Sequence, residues 1–122
     1  MSFWNRYYKY LYEEKGWERS AIKKSIDNTT DTLLNSIADP RKAVSEERRA
    51  MVVGYVQSGK TANYIGLINK ALDAGYKYII VLAGIHNNLR SQTQSRIDEE
   101  VLGYETDSAA KQKQRERAEK IK

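Results

Sequence analysis

The sequence predicts an α/β fold, a partial parallel sheet of few strands preceded by an N-terminal helical region over residues 1–49. Two observations carry this expectation. Residues 50–83 hold two short apolar runs of strand type separated by a helical pattern, and a further helical pattern follows. The stretch GYVQSGKTANY, residues 54–64, lies between the first run and the first of those helices. Strand, loop, helix, strand, loop, helix is how a parallel sheet opens, because parallel strands need helical crossovers to connect them.

In the N-terminal region, Phe3, Tyr7, Tyr8, Leu11 and Tyr12 recur at helical spacing. Gly16 interrupts the pattern, and Trp17, Ile22 and Ile26 resume it. Asn28 is expected to cap a further short helix carrying Leu33, Leu34 and Ile37, with Asp31 in its first turn and Asp39-Pro40 as its stop. The aromatic stripe reads first as a face packed on the rest of the protein. Interleaved with Arg6, Lys9 and Lys15, it also has the composition of a surface that stacks on nucleobases.

The central region, residues 50–104, opens with the strand-type run Ala50-Met51-Val52-Val53. Residues 62–72 put Ile65, Ile68 and Leu72 on one helical face, and Gly75 follows as a C-terminal cap. Residues 76–83 read as a second strand, branched, aromatic and apolar through their second half, as a strand covered on both faces should be. After Gly84 a helix is expected from Asn87 or Asn88 to about Glu100. The tail, residues 105–122, alternates charges with alanine and glutamine, with Ile121 as its one large apolar residue. Glu116 and Lys120 form an i,i+4 pair there, which fits a solvated helix or a frayed end.

Length and composition narrow the function classes. A chain of 122 residues is one domain at most, and 40% hydrophobic with 30% charged residues suits a folded protein. The absence of cysteine excludes disulfides, thiolate metal sites and cysteine nucleophiles. The first residues lack the basic-then-apolar order of a signal peptide, and the longest apolar run, residues 78–83, is far too short to span a bilayer, so a cytoplasmic location is expected. A net charge of +5 permits a polyanionic partner. The charges are interspersed rather than blocked, however, which is the pattern of an ordinary solvated surface.

Gly54-x-x-x-x-Gly59-Lys60-Thr61 is a complete P-loop pattern. Without Cβ atoms at Gly54 and Gly59 the backbone can turn tightly and aim successive N–H groups at an anion, next to the positive end of the following helix. Gln57 and Ser58 complete the cradle through their amides, and Ala62 continues the same turn. Lys60 is expected to reach the β and γ phosphates of ATP as a point charge, and the Thr61 hydroxyl to ligate Mg²⁺. These two are the candidate catalytic residues, and Thr61 is the candidate metal ligand. The bland alternative is a glycine turn followed by a surface lysine.

Four stretches carry a wider resemblance. Ser25-Ile26-Asp27-Asn28-Thr29-Thr30-Asp31, then Asp39-Pro40-Arg41, then Val53 through the P-loop to Tyr64, then Ala83-Gly84-Ile85-His86-Asn87-Asn88-Leu89-Arg90-Ser91-Gln92-Thr93-Gln94 are similar to the front part of the endonuclease domain family called Z-one. The likeness covers residues 17–103. It implies a RecA-like P-loop core beside, or within, a superfamily-two helicase-like ATPase of bacterial or phage origin, acting on DNA in restriction-like phage defence. In such ATPases the loop and helix after the second strand contact the nucleic-acid backbone, which points here to Asn87, Asn88, Arg90, Ser91 and Gln94. Those side chains can donate to phosphates at a helix start. Equally, the two asparagines can cap the helix while Arg90 faces solvent. His86, the single histidine, is a loop residue of a kind more often neither base nor ligand.

Some expected parts are missing. The second strand ends in Gly84 with no acid to hold Mg²⁺ or orient water, and Asp98, Glu99 and Glu100 follow a helix, where they read as a polar end. No spaced set of acids with a lysine assembles into a nuclease centre, and Glu13-Glu14-Lys15 lies in a helical pattern, on a solvated face. A sheet of two parallel strands would leave apolar edges uncovered. The chain is therefore expected to be completed by the remainder of a longer protein or by a partner subunit. Three readings follow: part of an ATP-dependent nucleic-acid enzyme, a nucleotide-binding module without turnover of its own, and an interaction domain whose aromatic helices dock on a partner.

Overall fold

The computed structural model describes residues 2–42, 45–54, 60–84 and 86–103. Its contacts divide the chain into two units, Met1–Ile80 and Val81–Lys122.

The first unit is a helical packing. Helix α1 (Phe3–Glu13) starts at Ser2, whose hydroxyl accepts from the Asn5 amide at 3.1 Å. Of its expected stripe, Tyr7 and Leu11 lie inside the core, while Phe3 and Tyr12 stay exposed. Gly16, at φ 69°, reverses the chain where the sequence pattern breaks. A second helical run begins at α2 (Arg19–Ala21), passes through a π segment (Ile22–Asp27) and continues as α3 (Asn28–Ser36). Asn28 does not cap a new helix as expected, because its backbone is helical, at φ −64° and ψ −41°. Ile22, Ile26 and Thr30 explain this: they stand four residues apart, all at most 1% exposed, and burying that stripe favours an unbroken run over a cap. Thr30 satisfies its buried hydroxyl by donating to the Ile26 carbonyl at 2.7 Å. The run ends at Ile37, which is extended, just before Asp39-Pro40.

Helix α4 (Lys60–Ala74) packs against both α1 and α3. Ala62, Ile65, Gly66, Asn69 and Lys70 form its buried face. Gly66 permits the close crossing, since a Cβ there would lie 2.9 Å from Ile26 Cγ2 and 3.3 Å from Thr30 Cγ2. Gly75, at φ 104°, ends the helix at the expected cap. Beyond it the Tyr76 hydroxyl donates to the Ala38 carbonyl.

The predicted α/β parallel sheet, with its RecA-like topology, is not what forms. Among the described residues there is no strand, and residues 50–54 and 76–84 carry neither helix nor ladder pairing. Met51, Val53, Tyr78, Ile80 and Leu82 are each more than four-fifths exposed. The pattern that reads as two buried strands records strand preference, which is a preference for a pleated, covered surface. Among the described residues no neighbouring strand supplies that surface, and the helices of the first unit bury their apolar faces against one another instead.

The second unit holds α5 (Asn87–Ile97), continued by a π segment (Asp98–Leu102) that ends at Gly103, φ 81°. Asp98 and Glu100 are buried and paired: Gln94 donates to Asp98 at 2.7 Å, and Arg96 grips Glu100 through Nε at 2.7 Å and Nη2 at 3.1 Å. Among the described residues no helix is long and apolar enough to cross a membrane.

Candidate functional site

The P-loop motif lies at the N-terminus of α4. Gln57, Ser58 and Gly59 lie outside the described residues, so the geometry rests on the two ends of the motif. Lys60 is the first residue of α4, and its ammonium donates back to the Gly54 carbonyl at 2.8 Å. The lysine side chain thus reaches from the start of the helix to the glycine that opens the motif. Exposure falls along the first turn, from exposed Lys60 through half-buried Thr61 to buried Ala62. The turn thus faces solvent with its charged and hydroxyl-bearing end and packs on the core with its alanine. Ala62 is held there by α1: the Tyr7 hydroxyl donates to its carbonyl at 3.2 Å.

This donor set suits a polyphosphate. The first N–H groups of a helix have no intrahelical acceptor and carry the positive end of its dipole. An ammonium and a hydroxyl stand beside them, and a trianionic phosphate uses all three kinds of group. Thr61 can offer one oxygen to Mg²⁺. Among the described residues no group of three or more histidines, aspartates or glutamates is arranged to hold a metal ion, so the phosphates and water would supply the other positions.

In the second unit, Asn87, Arg90, Ser91 and Gln94 line one open surface depression on α5. Their spacing puts them on a single helical face, and Asn88 does not share it. The Arg90 guanidinium donates to the Asn87 side-chain oxygen, so the two act as one polar group. The N-cap of α5 is His86, which makes no side-chain capping bond. Glu13, Glu14 and Lys15 are all exposed, as a solvated face requires.

Two features of the first unit escape the sequence. Lys70 is buried, its ammonium 2.5 Å from Asp27 Oδ1, 2.6 Å from Asp31 Oδ1 and 4.3 Å from the centre of the Trp4 ring. Asp73 accepts from the amides of Phe3 and Trp4, both at 2.9 Å, and so neutralises the positive end of α1. A cleft lined by Ile37, Pro40, Arg41 and Tyr76 opens near the other end of α4, about 20 Å from Lys60 at 1.5 Å per residue. Two of its polar side chains are engaged internally: Arg41 forks onto Asp39 at 3.1 and 3.2 Å, and Tyr76 is bound to Ala38. That fork holds the Asp39 carboxyl below its ordinary range.

Compared with protein-family models, curated proteins and solved structures, the chain matches none.

Proposed function

We propose that this chain binds a Mg²⁺–nucleoside triphosphate, ATP by expectation, through residues 54–61, as the nucleotide-binding part of an ATP-dependent, helicase-like nucleic-acid enzyme. One observation carries the reading: a complete P-loop pattern in which the helix begins at its lysine and that lysine reaches back to Gly54, bringing both ends of the motif together at a helix N-terminus. The motif's resemblance to the Z-one family supports DNA as the partner. So does the α5 face bearing Asn87, Arg90, Ser91 and Gln94, whose side chains suit phosphate contacts.

A nucleotide-binding role without turnover is the second reading. The segment after α4 ends in Gly84 with no acid, and turnover needs one to hold the metal and orient water. Calorimetric titration with a non-hydrolysable ATP analogue, with and without Mg²⁺, tests the shared claim. Saturable binding strengthened by Mg²⁺ is expected, and a folded chain that takes up no analogue contradicts it. Phosphate release with added DNA then separates the two readings, because only the enzyme reading expects stimulated turnover.

A further inference from the structure

We infer that Tyr7 is a positioning residue for the phosphate-binding turn of α4, an inference that rests on the triphosphate reading above. Its ring is 1% exposed and wedged between neighbours on α1, edge-on to Trp4 at 6.0 Å and stacked with Tyr10 at 6.4 Å. So confined, it presents its hydroxyl at one place. There it donates, in a buried setting and across 55 positions of sequence, to the carbonyl of Ala62. Ala62 lies two residues beyond Lys60 and one beyond Thr61, inside the same first turn of α4 that the triphosphate reading sets against the phosphates.

The first turn of a helix is where fraying is easiest, and a site built on it loses affinity in proportion to the time the turn spends open. Within α4 the Ala62 carbonyl also serves the Gly66 amide in the ordinary helical pattern. The Tyr7 hydroxyl is a second, tertiary bond on that same oxygen, and it ties the turn to a rigid aromatic shelf rather than to the rest of its own helix. Sequence periodicity places Tyr7 in the core stripe but gives no sign of its polar end. A phenylalanine would fill the same stripe, which is why the hydroxyl separates positioning from packing.

The test compares the wild-type chain with Tyr7→Phe, Lys60→Ala and Ile22→Val. Ile22→Val trims a wholly buried side chain elsewhere in the same unit and serves as a control for a modest loss of stability. Affinity for Mg²⁺ with a non-hydrolysable ATP analogue is read alongside ligand-free amide exchange at Tyr64, Ile65 and Gly66, whose helical acceptors are the carbonyls of Lys60, Thr61 and Ala62. Tyr7→Phe is expected to bind about threefold to tenfold more weakly, the range one lost hydrogen bond produces. It should also exchange those amides several-fold faster, while Ile22→Val changes neither. Wild-type affinity in Tyr7→Phe, with binding lost in Lys60→Ala, overturns the role of Tyr7 and leaves the triphosphate reading standing. Equal weakening in Tyr7→Phe and Ile22→Val also overturns it, as an effect of stability alone. Absence of binding by the folded wild type, or undiminished binding by Lys60→Ala, overturns the triphosphate reading and this inference together.

Discussion

Lys70 and Asp27 meet inside the first unit, the ammonium 2.5 Å from the Asp27 carboxylate and 2.9 Å from the same residue's carbonyl. This contact fastens the middle of α4 to the π segment, with Asp31 and the Trp4 ring closing over the charge. Lys70→Met keeps the aliphatic stem and removes the charge, leaving Asp27 with Lys23 as its remaining cationic partner. Breaking one side of a largely buried pair costs more than a surface bridge and, with Asp31 half-exposed, less than a fully buried one. Chemical denaturation is expected to register a loss of about 2–3 kcal/mol.

The same pair sets an acid limit. Burial alone would raise the Asp27 carboxyl, but its hydrogen bonds from Lys23 and Lys70 outweigh that and hold it below its ordinary range. Because the folded value is depressed, the stability it contributes is present above the unfolded value of about 3.9 and is lost as pH falls through the folded one. Thermal unfolding followed downward from pH 6 should show the wild type losing stability below about pH 4, with a shallower acid slope in Asp27→Asn. Identical slopes would remove Asp27 from the account of acid sensitivity.

Gly66 tests the helix crossing. Alanine there gains about 1 kcal/mol of helix preference but sets its Cβ 2.9 Å from the Ile26 methyl, on a branched side chain with little freedom to turn. Overpacking of this kind costs about 1–3 kcal/mol, so the variant should be less stable by about 1 kcal/mol in denaturant midpoint measurements. A stabilised variant would mean that the helices part more easily than the contact implies.

The helices of this protein were legible in the sequence because their apolar spacing is local. Tyr7, Leu11, Ile22, Ile26 and Ile65 occupy the core stripe their periodicity predicts, and Gly16 and Gly75 reverse the chain where the patterns break. The runs at residues 50–53 and 76–83 read as strands but form none, because a strand is completed by its neighbours, and no local pattern states whether a neighbour exists. At the candidate site, Lys60 and Thr61 stand at the start of a helix, as the motif requires. What the sequence withheld is what joins distant positions: Asp73 capping α1, Lys70 reaching Asp27, and the Tyr7 hydroxyl on Ala62. Each of these side chains has a satisfactory local reading as a surface charge or a core aromatic, so nothing nearby in the chain signals its second role.

The central claim is that residues 54–61 hold a triphosphate, and Lys60 is its most direct probe. Lys60 is exposed and its bond to Gly54 lies at the surface, so Lys60→Ala should leave the helical circular dichroism and the unfolding midpoint close to wild type. Titration of both proteins with Mg²⁺ and a non-hydrolysable ATP analogue should show saturable binding by the wild type and none by Lys60→Ala. Equal affinity in the two would contradict the assignment of this motif as a phosphate-binding loop.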